Sequence, residues 1–410
     1  MVNRNYSIGQ LFQIKSCTNC QACAQVCPAV AGSLDGKLSA IYRITTLDRI
    51  VKARTAFWRK LFRVKEPSAE ELRAFSDTVF RCTLCGNCRQ VCPVGIDLTQ
   101  LWHSVRKDLV NSDAYPNKID TIRENLDESH NVFGEDNEDR AEWVEDIPDA
   151  PEHGYIKDRA DLIYFTGCVS SFFPMAQQIP MALVKIFDAA RIDFTLLGED
   201  EWCCGFPLLG AGLGGRLDGL IANNINAVRA KGATQVVFAC PSCYRMWQEH
   251  YPRDFEITHV TEFLSRLIKS GRLLLKELDL TVTYHDPCDL GRGSGEYDAP
   301  RDIIQSIPGV RFVEMSNNRE SCSCCGGGGN LEMIDPKLSA DIAANKMKEV
   351  KATGAQVVVT ACQQCVRTMT TYAKRNKIPI EVMDITQLIH KALAGKDRPE
   401  NGKVDLGQSE

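Results

Sequence analysis

Apolar positions along the chain follow two regimes. Between Leu38 and Phe62 no Pro or Gly interrupts, and Ile41, Ile44, Leu47, Ile50 and Val51 recur at helical spacing. Ser68-x-x-Glu71 reads as a capping box opening a short helix toward Phe80. Asp97-Leu98-Thr99-Gln100 offers a further helix start. Beyond this helical front, short continuous apolar runs take over: 161–167, 235–239, 281–284 and 356–360. Helix-like stretches lie around them at 177–190, 216–231, 337–353 and 364–375. Strands alternating with helices predict an α/β region with a mostly parallel sheet in each of two halves. Ligands in such folds collect at the carboxyl ends of the strands.

Composition narrows the class. A chain of 410 residues predicts two or three domains, and 44% hydrophobic with 25% charged residues is ordinary for a globular protein. A net charge of −5 argues against a nucleic-acid binder. Met1 to Lys15 is polar, unlike a secretory signal, and no apolar run reaches the length of a membrane span, so the expected location is cytoplasmic, with docking on a membrane partner left open. Nineteen cysteines are the anomaly. Without a secretory signal they favour metal thiolates over disulfides.

Eight of those cysteines form two matching runs, Cys17-x2-Cys20-x2-Cys23-x3-Cys27-Pro28 and Cys82-x2-Cys85-x2-Cys88-x3-Cys92-Pro93. Three closely spaced thiolates cap three corners of a [4Fe–4S] cube, and in two-cluster ferredoxins the fourth cysteine of each run serves the other cluster. The expected sets are Cys17, Cys20, Cys23 and Cys92, and Cys82, Cys85, Cys88 and Cys27. A pair of four-cysteine zinc sites is the competing reading. The 54 residues between Cys27 and Cys82 exceed the gap of a compact ferredoxin and carry the helical pattern, so the front is expected to be an α-helical dicluster ferredoxin domain. Trp58, Phe62, Phe75 and Phe80 read as its core.

From Glu124 to Glu152 the chain carries twelve acidic residues and one basic residue, Arg140. The stretch reads as a solvated inter-domain linker, with an acidic docking face as the alternative and Phe133 and Trp143 as possible anchors.

Ten further cysteines write one frame twice, roughly 120 residues apart. The first copy is Cys168, Cys203, Cys204, Cys240 and Cys243; the second is Cys288, Cys324, Cys325, Cys362 and Cys365. Five thiolates exceed the need of a cubane, so either the cluster has an unusual shape or one thiolate is free for chemistry. Gly205 and Gly326 to Gly329 suggest tight backbone around bulky contents, with N–H groups available to sulfur. His285, Asp286 and Asp289 flank Cys288 as proton-relay candidates or as loop hydrogen-bonding groups. The string Gly210-x-Gly212-x-x-Gly215 matches a dinucleotide fingerprint but follows a loop instead of a strand. Cys322 stands outside every frame.

Cys-x34-Cys-Cys-Gly-x34-Cys-x2-Cys, repeated one residue longer in each gap and joined to the dicluster front, resembles the CCG family and the catalytic iron–sulfur subunit of heterodisulfide reductase. The resemblance covers roughly residues 10–395. It implies a ferredoxin domain at 1–115, a linker at 116–158, CCG domains at 159–278 and 279–395, and a tail at 396–410. It also implies two cubanes and two noncubane [4Fe–4S] clusters, the latter held by the ten frame cysteines and splitting a disulfide between them. The partner would be a flavin-containing electron-transfer subunit, like the flavoprotein of heterodisulfide reductase, within a larger complex of an anaerobe. The same architecture is similar to the iron–sulfur subunits of glycolate, lactate and glycerol-3-phosphate dehydrogenases. Those relay electrons from a flavin toward quinone with no substrate of their own. A zinc-stabilised scaffold is the non-redox alternative.

Overall fold

The apolar runs of the back half become parallel strands because their side chains are buried on both faces, which removes any need for polar alternation. The computed structural model describes residues 6–55, 66–152 and 154–394. In the first back-half unit, strands β1 (Leu162–Phe165), β2 (Phe194–Thr195), β3 (Gln235–Phe238) and β4 (Glu256–His259) are arranged in the order β2-β1-β3-β4. The second unit repeats this with β5 (Leu280–His285), β6 (Val310–Phe312), β7 (Val357–Thr360) and β8 (Glu381–Asp384), ordered β6-β5-β7-β8. All pairings within these sheets are parallel. The register sets Phe165 beside Phe238, and His285 beside Thr360. Strand ends leading to Cys168 and Cys240, and to Cys288 and Cys362, therefore emerge side by side.

The two units pack head to tail. The first long helix of the first unit (Gln178–Ala189) lies on the last helix of the second (Ile385–Ala392). Reciprocally, the last helix of the first unit (Val260–Lys269) lies on the first helix of the second (Asp298–Ser306). One apolar core runs through this junction, including Tyr164, Ile179, Leu264, Tyr284, Ile304 and Leu388. Burial of each aliphatic side chain of this kind contributes about 1.5–3 kcal/mol.

The helical front forms as its caps require. Ser68 Oγ accepts from Glu71 N at 3.1 Å and Glu71 Oε2 accepts from Ser68 N at 2.9 Å, starting helix Ala69–Phe80. Asp97 accepts from Gln100 N and starts Leu98–Asn111. The periodic segment after Leu38 is helix Ala40–Thr55; its continuation to Phe62, with Trp58, lies outside the described residues, as does the tail at 396–410. Phe75 and Phe80 are core residues.

The acidic stretch is not a solvated connector. Helix Lys118–Glu128 buries Ile119, Ile122 and Leu126, and Asn131, Arg140 and Trp143 beyond it are also buried. The lone Arg140 anchors the segment through a buried bridge to Glu201 at 2.9 Å. Net charge conceals this, because the one cation and an acid some sixty residues away neutralise each other inside the protein. The helical front also shares a core with the first back-half unit, from Trp102 and Leu109 to Leu208 and Trp247.

Candidate metal centres

The front cysteines converge crosswise. Cys17, Cys20, Cys23 and Cys92 line one small cavity, and Cys27, Cys82, Cys85 and Cys88 line another. Each run turns tightly after its second cysteine, with Gln21 at φ 64° and Gly86 at φ 79°. Each run then continues as one helical turn, Ala22–Gln25 or Asn87–Gln90. Cys27 precedes the helix begun by Pro28, whose fixed φ suits the first helical position. The first cavity opens outward, with Cys20 exposed. Arg43 and Trp102 help line the second cavity, and the Trp102 Nε1 and Arg43 Nε donors are buried without a hydrogen-bond acceptor. Orphaned donors beside four thiols suit a group that brings its own acceptors.

In the first back-half frame all five thiols are buried. Cys168 opens a short helix after β1; Cys240 precedes helix Pro241–His250 and Cys243 sits in its first turn. Gly205 N donates to Cys203 Sγ at 3.5 Å, and Tyr251 Oη donates to Cys204 O at 3.1 Å. Hydrogen bonds from Cys203 and Cys243 draw the Cys204 thiol down to about 6, while contacts with Cys204 and Cys240 push Cys243 up. Glu201 accepts from Thr166 N and Gly167 N, both at 2.8 Å, and its partner Arg140 reaches Cys168 Sγ at 3.8 Å.

The second frame repeats these contacts. Gly326 N donates to Cys324 Sγ at 3.4 Å, Cys365 N donates to Cys362 Sγ at 3.4 Å, and Cys325 and Cys365 sulfurs lie 3.3 Å apart. Hydrogen bonds from Cys324 and Cys365 draw Cys325 down, and burial pushes Cys288 up. His285 sits with Cys325 and Cys365 in a three-residue cluster, and its Nδ1 is 3.5 Å from Cys322 Sγ. Lys346, fully buried, points Nζ at Cys322 Sγ (3.6 Å) and Glu349 Oε2 (2.7 Å).

The relay candidates part company. Both Asp286 oxygens accept from Arg301, at 2.7 and 3.0 Å, and one also accepts from Arg319 N. Asp289 accepts from Ser242 Oγ at 2.7 Å and Arg245 Nη1 at 3.0 Å, crossing from one unit to the other. The reciprocal crossing is Gln363 Nε2 donating to Thr166 O at 2.9 Å. Each Cys-x-x-Cys turn thus grips the loop around the other unit's first cysteine, so the two frames face one another. Lys346 and Glu201, the buried partners of Cys322 and Arg140, escaped sequence reasoning, since a buried charge looks like a surface one in a string. The placement of Glu201 and Cys322, each two residues before its Cys-Cys pair, was the available signal.

The glycines serve a purpose other than clearing space for bulky contents. A Cβ at Gly205 would lie 2.5 Å from Leu217 Cδ2, and one at Gly326 would lie 2.5 Å from Ser339 O. At Gly328 and Gly329 it would meet Thr83 O at 2.5 Å and Cys82 O at 2.3 Å. The glycine run therefore lets the second frame press against the loop of the second front cavity. Gly212, at φ 82°, closes helix Phe206–Ala211, so the dinucleotide-like string is a helix end packed on Arg106.

All nineteen cysteines are free thiols, and this sulfur-only donor set fits iron–sulfur clusters. Family models agree: a 4Fe-4S dicluster domain matches residues 13–96, and a cysteine-rich domain matches 162–248 and 282–370. The chain is 37% identical to a subunit of the dihydromethanophenazine:CoB–CoM heterodisulfide reductase of Methanosarcina acetivorans over 403 residues, covering 95% of this chain and 96% of that one. It is 26% identical to a probable iron–sulfur-binding oxidoreductase of Bacillus subtilis, covering 95% of this chain and 61% of that one. It is likewise 26% identical to an EtfAB:quinone oxidoreductase of Syntrophomonas wolfei, covering 93% and 58%.

Proposed function

Since the chain belongs to the iron–sulfur subunit family of heterodisulfide reductase, a family of electron-transfer proteins, we propose that it carries electrons through two cubanes to two noncubane clusters that act on a disulfide or thiol. The proposed cubane ligands are Cys17, Cys20, Cys23 and Cys92, then Cys27, Cys82, Cys85 and Cys88. The two five-cysteine frames hold the noncubane clusters. When bound, these clusters supply one-electron storage and transfer.

The observation that carries the reading is the contact between Cys85 and Cys324, whose thiols are close neighbours inside one buried cluster. Cys27, Cys85, Cys324 and Ile342 belong to one buried cluster, with Cys288 packed against it. Residues of the second front site thus touch the second frame directly, and the exposure of Cys20 supports an outward-facing first front site as the entry for electrons. The order of sites is then first front, second front, second frame, first frame. A flavin-containing redox subunit is the proposed donor. No described helix is long and apolar enough to cross a membrane.

The second reading keeps this order but ends on a quinone-linked partner with no disulfide bound. Gln363 favours it: fully buried, it spans from one frame to the other unit's Thr166 and narrows the space between the frames. Anaerobically purified protein is expected to hold about 16 iron atoms and matching acid-labile sulfide if each of four sites takes a four-iron cluster. Zinc without sulfide would end both readings. Adding thiols to oxidised protein is expected to produce a new EPR signal if a disulfide is the substrate; its absence across candidate thiols favours the relay.

A further inference from the structure

The two front sites differ sharply in charge. Among the described residues no ionised side chain lines the first cavity. Around the second stand Arg43, 1% exposed, Arg106, 0% exposed, and the half-buried Arg292. Their hydrogen bonds run to backbone carbonyls. Arg106 donates to Cys82 O at 2.7 Å, Gly329 O at 2.9 Å and Val79 O at 3.1 Å. Arg292 donates to Cys85 O at 2.8 Å and Cys322 O at 2.9 Å. Arg43 reaches Arg81 O, next to Cys82, at 3.4 Å. None of the three has a carboxylate partner among the described residues, and the Nε atoms of Arg43 and Arg106 lack any acceptor.

Buried charge without a counter-charge is unfavourable, so such cations persist where something else supplies the negative charge. A cluster held by four thiolates is an anion that gains a further negative charge on reduction. Fixed cations beside it favour the reduced form, and burial strengthens that preference.

Resting on the four-cluster reading above, we propose that Arg43, Arg106 and Arg292 form an electrostatic well that draws an electron from the first front site and holds it at the second, next to the second frame. One electron leaves the first site and one arrives at the second, with no proton or bond change. The arginines thereby make inward transfer directional and keep a reducing equivalent beside Cys324.

The test is an EPR-monitored reductive titration of the full chain, with Cys20→Ser used to identify the first site's signal. In the unaltered protein the second site is expected to reduce first. Arg292→Gln and Arg106→Gln should each lower its preference for the electron at least tenfold, about 59 mV for a one-electron couple. Arg292→Lys and Arg106→Lys, which keep the charge, should recover most of it, whereas a role confined to holding carbonyls would not be restored by lysine. If Arg106→Gln loses iron, the Arg292 pair decides. Equal potentials for the two front sites, or shifts confined to the first, overturn the well while about 16 iron atoms per chain would leave the four-cluster reading standing. Absence of cubane signals overturns both.

Discussion

The two CCG units share strand order, frame and Gly N–H contacts to the first cysteine of each pair, yet at matching positions their buried neighbours diverge. Three residues before the first cysteine stands Phe165 in one unit and His285 in the other. Two residues before the pair stands Glu201, bridged to Arg140, or Cys322, held by Lys346 and His285. After the pair comes Phe206-Pro207-Leu208, which starts a helix, or Gly327-Gly328-Gly329, which presses on Cys82 and Thr83. Topology repeats because each sheet needs the same core. The site residues differ where the second unit brings frame cysteines and glycines against the loop of the front domain's second cavity, through Cys324, Gly328 and Gly329.

The largest expected effect breaks the frames one at a time. Cys325→Ser and Cys204→Ser should each remove one back-half cluster, about 4 iron atoms, and leave the front signals intact. Because Cys324 touches Cys85, Cys325→Ser should also perturb the second front site's EPR line shape, whereas Cys204→Ser should not. Identical perturbation by both would mean that the units are equivalent neighbours of the front domain.

Next comes the docking loop. A Cβ at Gly329 would sit 2.3 Å from Cys82 O on backbone at φ 62°, so Gly329→Ala is expected to cost about 2–4 kcal/mol in a denaturant titration. It should also slow reduction of the second frame by stopped-flow. Leu208→Ala, at the matching position, leaves a cavity and costs a similar 2–4 kcal/mol. It should leave that reduction rate unchanged.

How much of this was legible follows from what each residue's role depends on. The grouping of three front cysteines per run was readable because Cys-x2-Cys-x2-Cys is a local geometric constraint, whereas the crossing of the fourth came from the two-cluster ferredoxin pattern. Strands β1, β3, β5 and β7 were readable because these central strands are rich in β-branched and aromatic residues and end next to frame cysteines. The edge strands β2, β4, β6 and β8 were not: Phe194–Thr195 is two residues long, and Glu256–His259 and Glu381–Asp384 begin with an exposed acid. The arginine ring around the second front cavity was invisible because it assembles from residues 43, 106 and 292, each meaningless without the fold.

The smallest effect uses the last strand of each unit, where His259 and Asp384 cap the following helix through the same contacts. His259 Nδ1 accepts from Thr261 N, and Asp384 Oδ1 accepts from Thr386 N at 3.0 Å. Burial drives both toward neutrality from opposite sides, pulling the imidazole down to about 3 and pushing the carboxyl up to about 7. Asp384 Oδ2 has no hydrogen-bond partner, as suits a protonated acid. A carboxyl raised from 3.8 to about 7 gives its full stability below 3.8, and that stability is lost as pH rises through 7. Histidine lowered from 6.5 does the reverse, giving its full stability above 6.5 and losing it as pH falls toward 3. Asp384→Asn keeps the cap and removes the charge, so it should stabilise the protein, raising the thermal midpoint, at both pH values, by about 2–3 kcal/mol more at pH 8 than at pH 5. His259→Asn should gain at pH 5 and change little at pH 8. Equal gains at both pH values would show that packing, not charge, separates the two caps.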